Sequence, residues 1–309
     1  MTNYRLCVKQ QNVYLCYPMT TELKNKLTQV NSFIDEAFDL RRLSDFHLII
    51  QAGNDGLLLT VFDKEKNKYI AFENYSFQQV FDFDLVADLF ELAAKESKII
   101  NQKYKTVSCS VVNHLSTLVP AALFEEDRKS MYLKFNASLQ GNELILTDDL
   151  KNLEAKNVFA VPFSLKAKLD YMYNKVSYHH FSSGLIEGLL LQNKNQVKKK
   201  LVVHIQPSHF ETIVIEGKKL LFYNTFQHHS AEDFMYYLLF VCEQLHLNTE
   251  TTETFFIGEI ERTSQIYALT QKYIRNLKFG ERTDTADFSY QLQALPKHFY
   301  FSLFNNFIL

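Results

Sequence analysis

Glycine, proline and cysteine are scarce in this sequence, at 8, 5 and 4 residues among 309. No P-loop, dinucleotide fingerprint, G-x-S-x-G or H-E-x-x-H run occurs, which excludes the common phosphate cradles, the nucleophile elbow and the two-histidine zinc helix. The four cysteines, Cys7, Cys16, Cys109 and Cys242, form no C-x-x-C pair and fall short of the density of a secreted scaffold. They point to free thiols in a reducing compartment. No apolar run approaches the roughly 18 residues of a membrane span, and the start, Met1-Thr2-Asn3-Tyr4-Arg5, lacks the apolar core of a signal peptide. The cytoplasm is the expected location. Charge of one sign is also lacking: 33 basic against 35 acidic residues leave a net −2, so no global field draws the chain to nucleic acid or an anionic membrane. The densest basic run, Lys198-Lys199-Lys200, precedes an apolar strand and reads as its solvated start.

Apolar and aromatic residues are plentiful, at 47% hydrophobic with 27 Phe and 17 Tyr, as in a packed globular protein. At this length two lobes of roughly 130 to 150 residues are the default. The first 43 residues hold two short apolar stretches, Tyr4 to Val8 and Val13 to Tyr17, then a polar amphipathic run from Thr20 to Arg42. They read either as an edge hairpin with a helix or as a loosely held extension. From Phe46 the pattern sharpens into an antiparallel meander: His47 to Ala52, the turn Gly53-Asn54-Asp55-Gly56, Leu57 to Asp63, the turn Lys64 to Lys68, and Tyr69 to Glu73. Asp82 to Ile99 carries apolar residues at helical spacing with Asp82 as its cap, and Thr106 to Val112 reads as a buried strand.

The same order recurs 154 residues later. Leu201 to Ile205, the turn Gln206-Pro207-Ser208, His209 to Ile215, Gly217 and Leu220 to Asn224 make a second meander. A helix from Ser230 to Leu245, a strand from Thr254 to Ile257 and a helix from Ser264 to Asn276 follow. Laid over one another without a gap, His47 to Asp63 and Leu201 to Gly217 match in apolar placement. A period this long signals duplicated domains, here a βββαβα unit used twice. The expected divisions are an N-terminal extension at 1–43, a first lobe at 44–175 and a second lobe at 176–309, hinged near 160–180.

This duplicated unit resembles the actin-like ATPase superfamily, which includes actin, the heat-shock 70 chaperones, sugar and acetate kinases, and bacterial scaffolds of cell division and pilus assembly. The resemblance covers residues 46 to about 280. More closely, Leu118-Val119-Pro120 and Gly258-Glu259-Ile260 are similar to stretches of an uncharacterised bacterial family of this fold. The resemblance implies a two-lobed, actin-like (ribonuclease H-like) α/β fold with mixed five-stranded sheets. It also implies where a nucleotide would sit. In working members the first hairpin of each lobe has an Asp-x-Gly-type strand end; its turn brings N–H groups to the phosphates and its Asp holds magnesium and its waters.

In this sequence the Asp position falls on Ile50 or Gln51 in the first lobe and on His204 or Ile205 in the second. Gly53, Asn54 and Gly56 keep a tight turn, but Asn-Asp-Gly justifies a turn without any phosphate. Gln206-Pro207-Ser208 has no glycine, and Pro207 has no N–H to offer. The family's paired glycines under the adenosine become Gly258-Glu259. The cleft positions Gln51, Gly53, Asn54, Gly56, His204, Gln206, Ser208, Gly258 and Glu259 therefore read as vestigial, with no cofactor, metal or catalytic residue expected.

Other chemistry-bearing residues have plainer readings. His179-His180 and His228-His229 are adjacent pairs whose side chains point opposite ways on an extended chain, although His204 and His209 approach across the second hairpin. Glu125-Glu126-Asp127 reads as a solvated face, and Ser182-Ser183 as the capping serines of an apolar helix. Phe299, Tyr300, Phe301, Phe304 and Phe307 form either a last core helix or an anchor for another protein or a second copy. The expected role is a noncatalytic cytoplasmic scaffold or adaptor that binds a protein partner or itself, with no nucleic-acid partner and no membrane span. The rivals are an ATPase or phosphotransferase, and a nucleotide sensor without turnover.

Overall fold

The structure, a computed structural model, describes residues 7–10, 13–16, 21–78, 80–282 and 285–305. Strands β1 (Cys7–Gln10) and β2 (Val13–Cys16) pair with each other as a separate hairpin. After the short helix α1 (Thr21–Lys24), the amphipathic run forms β3 (Leu27–Ile34), which pairs antiparallel with the edge of the first meander. An open sheet edge offers a row of unpaired N–H and C=O groups, and that demand overrides local helical spacing.

The meander itself is β4 (Phe46–Gly53), β5 (Gly56–Asp63) and β6 (Lys68–Phe77). Helix α2 (Phe83–Glu96) starts at Asp82, whose side chain accepts from Leu85 N, and β7 (Thr106–Val112) returns parallel to β4. An insertion follows: β8 (Ser116–Pro120), α3 (Lys129–Asn136), β9 (Glu143–Leu150) and β10 (Ala155–Pro162), with the strands in a small sheet ordered β8-β10-β9. Helix α4 (Phe163–Met172) then leads to β11 (Val176–His180), parallel to β7.

Helix α5 (Phe181–Asn193) carries the chain to a second sheet. This is built from β12 (Lys199–Ile205), β13 (His209–Glu216), β14 (Lys219–Gln227), α6 (Ala231–Gln244), β15 (Glu253–Gly258), α7 (Gln265–Tyr273) and β16 (Leu277–Phe279). The chain finally returns to the first sheet through β17 (Asp287–Phe288), α8 (Tyr290–Gln293) and α9 (Phe301–Phe304). There β17 pairs with β6, and Tyr69 donates its hydroxyl to the carbonyl of Phe304.

The orders β11-β7-β4-β5-β6 and β16-β15-β12-β13-β14 are the same plan twice. The first sheet has seven strands, not five, because β3 and β17 add to β6. It also keeps residues 176–180 as its far strand, so the chain leaves it after His180 and not at 175. Residues 285–305 return to it as well.

The repeat register is corrected by one residue. Phe46 and Gly56 open β4 and β5 as Lys199 and His209 open β12 and β13, an offset of 153. Gln51 thus corresponds to His204, Gly53 to Gln206, and Asp55 to Ser208. In a strand a one-residue slip turns every side chain to the other face, while two all-apolar runs align almost equally well either way.

The central strands of both sheets are buried on both faces, which is why they are near-continuous apolar runs. Leu48, Ile50 and Ala52 face α2, whereas Ile49 packs with Tyr69 and Phe72 against Leu292, Tyr300, Leu303 and Phe304. Tyr300, Phe301 and Phe304 are core residues, Phe301 being fully buried against α5, whereas Phe299 is half-buried; Phe307 lies outside the described residues. Cys109 and Cys242 are buried free thiols. Phe301→Ala is expected to cost about 3–5 kcal/mol by leaving a cavity between α5 and the second sheet. Urea unfolding, read as a lower midpoint at unchanged slope, measures it.

Candidate functional site

A cleft of about 550 Å³ opens between the two sheets. Its walls come from the β4–β5 and β12–β13 turns, from β3, from the start of α2, from the loop after β7, and from the segments around Glu259 and Tyr300. Gln51, Gly53, Asn54, Gly56, Gln206, Ser208 and Glu259 all line it; His204 and Gly258 do not.

Each of these residues has a local physical role. Gln51 is buried and accepts a hydrogen bond from Ser302 Oγ at 3.0 Å. A Cβ at Gly53 would lie 2.8 Å from Val112 Cβ, and one at Gly56 only 2.4 Å from Tyr75 O, so both glycines serve the packing of the sheet. Gly258 has φ +93°, and a Cβ there would meet Ile205 O at 2.1 Å; its backbone presses on β12 and turns no face to the cleft. Asn54 Oδ1 and Gln206 Nε2 are buried without hydrogen-bond partners among the described residues.

The feature that the sequence reading missed is a latch between the two hairpin tips. Asp55 Oδ2 accepts from Ser208 Oγ at 2.5 Å and from Ser208 N at 3.3 Å, and lies 3.7 Å from His209 Nδ1. The other ring nitrogen of His209 lies 3.5 Å from Glu211 Oε1, and Glu211 Oε2 is 2.6 Å from His204 Nδ1. Asp55 thus binds its own counterpart in the second repeat. The signal was available in the turn Asn54-Asp55-Gly56, but only the corrected register pairs it with Ser208. Burial opposes ionisation of Asp55, yet hydrogen bonds from His209 and Ser208 outweigh it and hold the carboxyl below its ordinary value. Burial likewise lowers the pKa of His209, but the carboxylates of Glu211 and Asp55 outweigh it and raise the net value.

The pairs His179-His180 and Ser182-Ser183 share one hydrogen-bond network. His179 Nδ1 meets Asp148 at 2.8 Å, and Asp148 also accepts from His180 N and Ser183 Oγ. The cap of α5 is the His180 ring, not a serine; Ser182 and Ser183 instead accept from Asn157 Nδ2. Burial pushes His180 down to about 4, so it is neutral.

The cleft lining carries six carboxylates, Asp55, Asp82, Asp84, Glu143, Glu259 and Glu261, and no lysine or arginine among the described residues. Glu259 is open to the water of the cleft but enclosed by its concave wall; this enclosure, with the charge of Asp55, pushes its carboxyl up to about 7. Among the described residues no group of three His, Cys, Asp or Glu side chains is placed to hold a metal ion, and no helix is long and apolar enough to cross a membrane.

A family model described as protein of unknown function, DUF3822, matches residues 35–277. Among solved structures, the chain is similar to a Bacteroides thetaiotaomicron protein with an actin-like ATPase fold and unknown function. The TM-score is 0.72 at 21% identity, over 83% of this chain and 97% of that one. It is also similar to the PilM–PilN type IV pilus biogenesis complex, with a TM-score of 0.53 at 12% identity, over 83% and 96% of the two chains. No curated protein sequence matches. At these identities the likeness is one of fold, and the fold is that of the actin-like ATPases.

Two pH dependences follow. Between the depressed Asp55 value and the ordinary His209 pKa of 6.5 the latch is fully charged, and it fades as pH rises through the raised His209 value, so Asp55→Asn should cost roughly 1 kcal/mol near pH 6 and less near pH 9. Glu259 runs in the same direction: the folded state holds its proton more tightly, so stability falls as pH climbs from 4.5 to about 7. Cleft water screens the carboxylate, so Glu259→Gln should gain at most about 1 kcal/mol near pH 8 and nothing near pH 4.5. Thermal melts across pH measure both.

Proposed function

Because this chain belongs to the DUF3822 family of proteins of unknown function and has the actin-like ATPase fold, we propose that it is a noncatalytic adaptor. It keeps the two-lobed frame and binds a protein partner through its interlobe cleft or a lobe surface, without hydrolysing nucleotide. The observation that carries this reading is the charge of the cleft wall, six carboxylates with no lysine or arginine among the described residues. A triphosphate held there would meet like charges. At a separation of roughly 7 Å each pair costs about 0.6 kcal/mol in water-like surroundings and ~2 kcal/mol at a partly enclosed site.

The hairpin tips add to this. Asp55, Ser208 and His209 are engaged with one another, and Pro207 has no N–H. Gln51 and His204 stand at the matched strand-end positions, and neither offers the anionic oxygen that a hard cation prefers. The PilM–PilN complex supports the adaptor reading by precedent, as a protein of this fold assembled with another.

A nucleotide at a hundred times its dissociation constant would stabilise the fold by about 2.7 kcal/mol, several degrees in a melt. Millimolar magnesium ATP is expected to give no shift, and phosphate release is expected to stay at the level of a mock preparation. A saturable shift without turnover would make the protein a sensor. Turnover lost on mutation of a cleft residue would make it an enzyme.

A further inference from the structure

The cleft that disfavours a nucleotide has the chemistry of a different ligand. Several of its carboxylates are already engaged: Asp55 in the latch, Asp82 as the cap of α2, Glu143 accepting from Gln140 N and Gly141 N, and Glu261 from Thr263 Oγ1. Asp84 and Glu259 have no hydrogen-bond or ion-pair partner among the described residues, and the lining brings them no cationic side chain other than its histidines, His114 and His209. Unpaired carboxylates in a concave site attract a cation more strongly than the same groups on an open surface.

Two further observations narrow the class. Gln206, only 9% exposed, and Asn54 both line the cleft, and Gln206 Nε2 and Asn54 Oδ1 are buried without hydrogen-bond partners among the described residues. A buried amide group without a partner costs free energy that a ligand carrying the complementary group recovers. A turn of either side chain would present its amide to the cleft, where a peptide backbone supplies both an acceptor and a donor, whereas a metal ion or a simple polyamine supplies no carbonyl oxygen for Gln206. Phe81 also lines the cleft while 85% exposed, and Phe83, Phe299 and Tyr300 line it too. Aromatic faces beside carboxylates suit the aliphatic stem and charged head of lysine or arginine.

We propose that the interlobe cleft receives a cationic peptide, an extended segment of a partner protein that carries lysine or arginine. The inference rests on the adaptor reading and names the chemistry of its partner. The volume, about 550 Å³, suits one or two long side chains with the backbone between them.

The test uses the full chain and fluorescence anisotropy with a fluorescein-labelled peptide of alternating alanine, lysine, serine and arginine. A counterpart carrying aspartate and glutamate and unlabelled spermine complete the set. At physiological salt the basic peptide is expected to bind saturably and the acidic one not at all. Asp84→Asn combined with Glu259→Gln and Glu261→Gln should weaken binding about tenfold or more, while Glu125→Gln with Asp127→Asn, on an exposed turn outside the cleft, should leave it unchanged. Affinity should rise between pH 6 and pH 8 as Glu259 loses its proton near 7, and Glu259→Gln should reduce that rise to the part contributed by His209 losing its charge in the same lining. Should the triple variant fail to fold, Phe81→Ala, at an exposed position, gives the same comparison. Absence of binding, or equal binding by the cleft and control variants, would overturn the proposal. Spermine binding as tightly as the peptide would overturn it too, by reassigning the site to a small polycation. A negative result here leaves the adaptor reading standing unless magnesium ATP also shifts the melt.

Discussion

Burial of α5 between the two sheets is the constraint from which the remaining geometry follows, because every residue from Phe181 to Leu190 is buried. A helix that is apolar all round must be covered all round. One sheet covers only one side, so the second sheet and the C-terminal helix α9 complete the enclosure. Val112 of β7, Val202 and Ile213 of the second sheet and Phe301 of α9 form one core cluster with Leu185, Ile186, Leu189 and Leu190. Gly188 permits the closest approach: a Cβ there would come within 2.9 Å of Asn305 Cγ. Once α5 is seated, Phe181 at its start packs on the rings of His204 and His209. The tip of the second hairpin is thereby placed where Ser208 reaches Asp55.

Such a wedge brings polar groups into the interior, where each costs a few kcal/mol unless it is bonded. Asp148 collects His179, the N–H of His180 and Ser183; Asn157 holds Ser182 and Ser183; and Glu187 accepts from the backbone and side chain of Asn152. The serines that open α5 thereby hold the helix to the insertion strands β9 and β10. The network also ties the small sheet to the frame.

The acidity of the cleft is a tertiary property in a chain whose overall charge is close to balanced. Its six carboxylates come from the first hairpin, the start of α2, the start of β9 and the loop after β15. None of these segments is an acidic run by itself. Their convergence, with no lysine or arginine opposite among the described residues, concentrates negative charge in the cleft wall.

The sequence by itself determined the duplicated βββαβα plan, the two meanders, the Asp82 and Ser230 helix starts and the absence of glycine-rich phosphate loops, because period, capping and composition are local properties. Only the tertiary structure decided the register of the repeat, because two apolar strands buried on both faces carry no alternation to fix it. It alone recruited residues 27–34 as a strand, since the need came from the open edge of β6 and not from the segment itself. The return of residues 285–305 to the first sheet was equally invisible, because those aromatics are apolar wherever they pack. The Asp55–Ser208 latch and the acidic cleft depend on contacts across 153 residues or more of sequence, and such distances are set by how α5 joins the sheets, not by any motif.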